Sequence, residues 1–337
     1  MAMNEPGVTS PPDAWQKRLG RCFGRAGLIM SALLSLGVAL CYTWRLDAWA
    51  AVTVFPIWVW WLAGVLLVAA ARRQVPRRYS LTVTLIWCLV LYTFSDHPLN
   101  LLRFKSGDGV RTLRIVSLNC AGNVRAALEV ADLRPDIVLV QESPGREPLL
   151  TLARECFGDE GYVLSGVDAS IVARGEVERL PLPDSVTSNA VCARIRLADG
   201  HELNVVSMRL ETPSVRVDLW SPDCWHEQTA TRRRQRKQLE TIAKIAIDSS
   251  GSVPSILGGD FNAPPGDAIF RVLTPLHDAF GEAGRGWGNT ILNSTPWLRI
   301  DQIWISPQLR AVDVYSRKTE HSDHRMVVCV LRVGRTQ

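Results

Sequence analysis

Among eight cysteines no two form a CxxC pair, and no cysteine–histidine group has zinc-ligand spacing, so the sequence offers no basis for a structural zinc site. Cys120, Cys192 and Cys329 lie in strand-like runs and read as small buried hydrophobes, whereas Cys156 and Cys224 could pair outside the cytoplasm; cysteine usage leaves the compartment open. A positive field is also missing from most of the chain. Of 38 Lys/Arg and 33 Asp/Glu, residues 1–105 hold 11 and 4, leaving 27 against 29 in the other 232 residues, a net of −2. The overall +5 therefore belongs to the N-terminal part, which removes the usual argument from a basic chain to duplex nucleic acid and leaves only a local basic patch to argue from. No small-residue cleavage site follows the first apolar run, and two more such runs come after it, which argues against a cleaved signal peptide.

What is present divides into an apolar N-terminal third and a mixed remainder. Residues 1–25 form a basic tail, polar and Pro-rich to residue 14, with Lys17, Arg18, Arg21 and Arg25 after that. Three uncharged runs follow, 26–44, 48–71 and 79–95, and since roughly 20 apolar residues span a bilayer core, with about 17 enough for a short helix, they predict a membrane anchor over 26–104 with three transmembrane helices. The connection between the second and third runs carries Arg72, Arg73, Arg77 and Arg78. By the positive-inside rule it and the N-terminus are cytoplasmic, which places everything after residue 105 outside; two crossings would instead place it inside. Trp44, Trp49, Trp58, Trp60, Trp61 and Trp87 either anchor these helices at the interface or pack between them.

After a linker at 105–110 the pattern changes. The strand-like runs Leu113–Leu118 and Ile137–Val140 end at Asn119 and at Gln141-Glu142, joined by a helical segment over 123–133, so a right-handed crossover brings an amide and an acid to one rim. The run from Val253 to Leu257 repeats the design, ending in Gly258-Gly259 before Asp260 and Asn262. Between them lie strands at 170–173, 190–197 and 202–208, the last two joined at Asp199-Gly200 as a hairpin. Residues 211–228 read as irregular and 229–247 as a long helix, whose Arg232, Arg233, Arg234, Arg236 and Lys237 form either a solvated basic face or a phosphate-attracting patch. Closing strands are expected over 298–305 and 326–332.

The segments Arg114–Asn119, Pro135–Glu142, Gly259-Asp260-Phe261-Asn262, Arg299–Ile303 and Ser322-Asp323-His324, in this order and spacing, resemble the endonuclease/exonuclease/phosphatase superfamily over about residues 111–333. The resemblance implies a four-layered α/β sandwich of the exonuclease III/DNase I-like type and a Mg2+- or Mn2+-dependent phosphoesterase. The membrane anchor in front looks like that of the VanJ-type membrane phosphatases. On the matched positions Glu142 is a metal ligand with Asn119 beside it, Asp260 orients or activates the attacking water, and Asn262 holds the phosphoryl group. His324 contacts the phosphoryl group, Asp301 orients it, and Asp323 is a second metal ligand or water contact.

The chemistry of the residues agrees. Hydrolysis of a phosphoester needs a hard cation, a group that handles the water and donors for developing charge. One position departs from the family pattern: Arg209 stands where a second phosphate-contacting histidine is usual, and arginine donates two hydrogen bonds but no proton near neutral pH. Three functions follow. The first is a bilayer-bound hydrolase acting outside the cytoplasm on a phosphorylated lipid or lipid pyrophosphate. The second is an outward-facing nuclease acting on DNA or RNA, and the third a non-enzymatic sensor with a degenerate domain.

Overall fold

The computed structural model describes residues 14–104, 112–247 and 252–333; the polar N-terminal residues up to 13 and the expected linker lie outside these. Two units are present, one made of the described residues up to Trp44 with Phe55–Ser95, the other of Arg45–Val54 with the described residues from Asp96 onward.

In the first unit apolar residues run without interruption until a proline or an arginine pair stops them. Helix α1 (Ala14–Trp44) takes in the basic residues Arg18, Arg21 and Arg25, so the second half of the expected tail is helical. The second apolar run is broken: α2 (Ala50–Thr53) belongs to the other unit, and α3 (Ile57–Ala71) starts only after Pro56. Helix α4 (Arg77–Phe94) completes the set. Trp87 packs rather than anchoring at an interface: it is fully buried, its Nε1 donates to Ser31 Oγ (3.0 Å), and that hydroxyl donates to the Gly64 carbonyl (2.9 Å). A Cβ on Gly64 would lie 1.9 Å from the Trp87 ring, so only glycine permits this approach. The expectation of three crossings is corrected here. Among the described residues, one helix, Arg18–Trp44, is able by length and apolarity to cross a membrane, and α3 with the short helix before Pro56 would make a second if together they were one broken span. Helix α4 opens on Arg77 and Arg78, which shortens its apolar part.

In the second unit, strands that are apolar at every position are covered on both faces. Along β2 (Ile137–Gln141), Ile137 and Leu139 enter a cluster between two sheets while Val138 and Val140 enter one beneath helices. The first sheet has the order β11 (Leu309–Arg317), β12 (Met326–Val333), β1 (Leu113–Asn119), β2, β4 (Ala169–Arg174), β3 (Gly161–Ser165). The second runs β5 (Glu176–Leu180), β6 (Ala190–Arg196), β7 (Glu202–Arg209), β8 (Ser255–Asp260), β10 (Asp301–Ile305), β9 (His277–Asp278). Helices α5 (Val124–Leu128) and α6 (Arg146–Phe157) cover the first sheet through Leu149 and Leu152; α8 (Pro222–Ala246) covers the second through Leu239, Ile242 and Ala246. Short turns of helix, α7 (Asp184–Thr187) and α9 (Ala279–Ala283), complete the set. The result is helix, sheet, sheet, helix: the four-layered sandwich expected.

Several boundaries differ from expectation. Helix α8 begins at Pro222, seven residues before Thr229, because Pro is well placed in a first helical turn after the extended Ser221. Strand β10 begins at Asp301 rather than 298, and β3, β5 and β11 had no clear apolar alternation to mark them. The expected buried cysteines are buried, Cys120 and Cys192 under the helices and Cys329 between the sheets. Cys156 and Cys224 lie on separate helices as free thiols.

Candidate active site

The parallel pairing of β1 with β2 and of β7 with β8, and the antiparallel pairing of β8 with β10, brings the strand tips to one rim: Asn119 lies opposite Gln141, and Asp260 opposite both Arg209 and Asp301. Glycine makes the β8 tip. A Cβ on Gly259, whose φ is +145°, would stand 1.9 Å from the Met208 carbonyl oxygen, and one on Gly258 would stand 2.5 Å from Leu139 Cδ1. With both Cβ atoms absent, β8 presses against β7 and the inter-sheet core and delivers Asp260 buried at its end.

Asp260 is held from both sides. Its Oδ1 accepts the Asn262 backbone N–H (2.9 Å) and its Oδ2 accepts the Asn119 Nδ2 (3.1 Å), which also donates to Glu142 Oε1 (3.0 Å). Glu142 and Asn262 both carry left-handed backbone, φ +43° and +48°, a strain of about 1–3 kcal/mol each that side-chain-bearing residues keep only where surroundings impose it. The Asn262 Nδ2 donates to the Leu210 carbonyl (2.9 Å), which fixes the amide over the rim. Burial first, and then the neighbouring Asp301 carboxylate, push the Asp260 carboxyl up to about 7.

His324 is oriented through Nδ1, 2.8 Å from Asp301 Oδ2, leaving Nε2 as the ring nitrogen available for chemistry. Asp301 is itself positioned by Thr290, whose Oγ1 accepts the Asp301 N–H (3.1 Å). Ser322 joins the last motif to the first: its hydroxyl donates to the Asn119 carbonyl (2.7 Å) and accepts the His324 N–H (3.0 Å). Burial disfavours the imidazolium, yet the charge and hydrogen bond of Asp301, with Asp260 behind it, raise His324 to about 9. Near neutral pH this histidine is a cation.

Arg209 reaches across the same rim. Its Nη2 lies 2.9 Å from Glu142 Oε1, its Nη1 3.2 Å from Asp168 Oδ2, and its Nε 3.9 Å from Asp260 Oδ2. Asp168, in the turn between β3 and β4, and Thr212, whose Oγ1 meets Arg209 and Asn262 at 3.3 Å, are members of the site that no motif marked. A lone acid in a turn carries no spacing signal; only the fold brings Asp168 to Arg209. Asp323 is exposed, beside His324 in the chain but outside the buried group of acids. Three of the five basic residues in the α8 run serve structure: buried Arg232 pairs with Asp267, Arg234 with Glu211, and Arg236 with Asp47.

The residues present suit a divalent cation. Oxygen atoms of Asp260 and Asp301 lie within 4.8 Å of each other and Asp301 Oδ1 is buried without a hydrogen-bond partner, while His324, protonated and bonded to Asp301, serves as a donor rather than as a ligand. With Glu142 and Asn119 adjacent, the donor set is dominated by hard oxygens, which favours magnesium or manganese over softer metals.

Among solved structures, an endonuclease/exonuclease/phosphatase from Bacteroides vulgatus superposes with a TM-score of 0.50 at 19% identity, covering 66% of this chain and 100% of that one, and it shares the fold. Also similar are a humanised TDP2 from D. rerio (TM-score 0.49, 18% identity, 66% of this chain and 99% of that one) and a mannosyl-6-phosphatase from Bacteroides thetaiotaomicron (0.46, 15%, 65% and 99%). No curated protein sequence matches the chain. The sequence model of the Endonuclease/Exonuclease/phosphatase family matches residues 116–324, a span that contains Asn119, Glu142, Asp260, Asp301 and His324. The chain therefore belongs to the endonuclease/exonuclease/phosphatase family and is a metal-dependent hydrolase of phosphoester bonds.

Proposed function

We propose that this hydrolase is membrane-anchored and cleaves a phosphate or pyrophosphate ester of a lipid carrier at the extracytoplasmic face, as a VanJ-like phosphatase would. The observation that carries the reaction is geometric: on one rim the buried Asp260 carboxylate is held by Asn119 and the Asn262 N–H, opposite Asp301, which in turn holds His324 at Nδ1 (2.8 Å). Asp260 and His324 are both raised by their surroundings, the histidine staying above the carboxyl, which suits them as the base and the acid of one displacement near neutral pH.

A divalent cation held by Glu142 and Asn119, with Asp323 as an outer contact, would draw charge from the phosphoryl oxygens. The chain's own groups do the rest. Asp260 orients the attacking water and takes its proton as the new O–P bond forms. The P–O bond to the leaving group breaks, and His324 donates from Nε2 to the departing oxygen while Asp301 holds Nδ1. Asn262, fixed by Leu210, holds the phosphoryl group in place. The Arg209 guanidinium donates hydrogen bonds to a phosphoryl oxygen in place of the family's second histidine.

Anchoring is supported by the helical unit. Only 22% of the apolar window of α1 is buried, and Leu33, Leu62, Leu66, Leu85 and Leu89 face outward from α1, α3 and α4, more apolar surface than a water-exposed bundle keeps. An extracytoplasmic catalytic unit requires α4 to cross as well as α1 and α3; the arginines Arg72, Arg73, Arg77 and Arg78 between α3 and α4 support a cytoplasmic side for that connection. The nuclease reading is weakened, since Arg232, Arg234 and Arg236, three of the five basic residues in the α8 run, are committed to carboxylates.

The test is phosphate release from a polyprenyl pyrophosphate in micelles beside nucleotide release from DNA and RNA, each with Mg2+ and with chelator. Chelator-sensitive release from the lipid alone is expected; cleavage of nucleic acid alone would replace this reading with the nuclease.

A further inference from the structure

The loops that frame the active site expose apolar side chains. Val167, 78% exposed, precedes Asp168, the acid that pairs with Arg209. Val215, Val217 (75%) and Trp220 (84%) lie on the connection from β7 to α8, whose Thr212 hydroxyl meets both Arg209 and Asn262. Leu292 follows Ile291, which pairs with His324 through an isolated bridge. Three separate connections thus place bare apolar groups around a site built for a charged phosphoryl group. Such a combination suits a substrate with a polar head and an apolar body.

The two segments through which the catalytic unit continues into the apolar helices are fastened to this same rim. Arg45 Nη1 donates to the Pro265 carbonyl (2.5 Å), three residues beyond Asn262, and both carboxylate oxygens of Asp47 pair with Arg236 of α8 (2.6 and 2.5 Å). On the second segment Asp96 accepts from buried Arg299 through Nε (2.6 Å) and Nη2 (3.0 Å), two residues before Asp301. Both connecting segments are therefore tied, within the catalytic unit, to residues two or three positions from Asn262 or Asp301.

We infer that the rim of the active site rests on the bilayer, with Val167, Val215, Val217, Trp220 and Leu292 as an apolar collar in the interfacial layer, so that a lipid-borne phosphate reaches Asp260 and His324 without leaving the membrane surface. This rests on the lipid-phosphate reading above. Tryptophan and short aliphatic groups are the side chains such a layer accepts.

The test uses the full chain in phosphatidylcholine–phosphatidylglycerol vesicles, with p-benzoylphenylalanine in place of Trp220, of Val217, or of Tyr162 on β3 as a control. On illumination, lipid adducts from positions 217 and 220 and none from 162 are expected. No lipid adduct from either position, equal adducts from all three, or adducts to a second copy of the chain instead of lipid would overturn the collar. In parallel, V217S/W220S should slow hydrolysis of a vesicle-embedded long-chain phosphate ester about tenfold and leave p-nitrophenyl phosphate unchanged, because the substitutions touch only membrane contact. Equal loss on both substrates would also overturn it. If the unaltered chain hydrolyses neither substrate, the functional reading fails by itself, and cross-linking still decides the collar.

Discussion

Asp260 is the residue on which burial and chemistry conflict most directly. Its folded pKa lies above the usual carboxylate value, so its contribution to stability is present below about 4 and is lost as pH rises through about 7. Asp260→Asn should therefore cut turnover about 10²–10⁴-fold and, in chelator, raise the thermal midpoint at pH 8 more than at pH 5. Turnover and melting curves at the two pH values check this; an equal shift at both would show that the carboxylate does not titrate in the folded chain. His324 supplies the opposite limb. Asp301→Asn removes the charge that raises it, so the alkaline limb of the kcat/KM profile should move from about 9 toward or below the free-histidine value of about 6.5. At Arg209, substitution by Gln removes charge-assisted bonds and should cost roughly 10–100-fold in kcat/KM without adding or removing a pH limb, since a guanidinium does not titrate there. A pH profile that changes shape in that variant would contradict its role as a fixed donor.

At the scale of elements, the strands that carry the site were legible because each ends an apolar run with a polar residue at its tip. Asn119, Glu142 and Asp260 stand out on that ground, and the glycines before Asp260 mark a close approach that a Cβ on Gly259 would block, 1.9 Å from the Met208 carbonyl oxygen. Gly259→Ala should consequently destabilise the catalytic unit by about 2–4 kcal/mol in urea unfolding, since Met208 is backbone in a neighbouring strand and has nowhere to move. What could not be read lay where tertiary contact overrides local pattern. Arg232 looked like part of a solvated or phosphate-seeking face, yet it is buried against Asp267, because α8 turns that residue inward toward the loop after β8. Asp168 was invisible for the converse reason, a single acid in a turn with no periodicity around it. The second apolar run misled by composition: it is uninterrupted in charge, but Pro56 divides it and hands its first part to the catalytic unit.

For the whole molecule, the chain joins an apolar helical unit to a metal-dependent hydrolase. Function depends first on whether the active-site rim is a metal-dependent phosphoryl site, and Glu142 is the residue that decides it, since it touches both Asn119 and Arg209 at the strand tips. The most direct measurement is phosphate release after chelation and stepwise return of Mg2+ or Mn2+, for the unaltered chain and for Glu142→Gln. The predicted result is complete loss on chelation, full recovery in the unaltered chain, and recovery in the variant only at metal concentrations at least about tenfold higher. Hydrolysis that survives chelation, or a variant with unchanged metal dependence, would contradict the account.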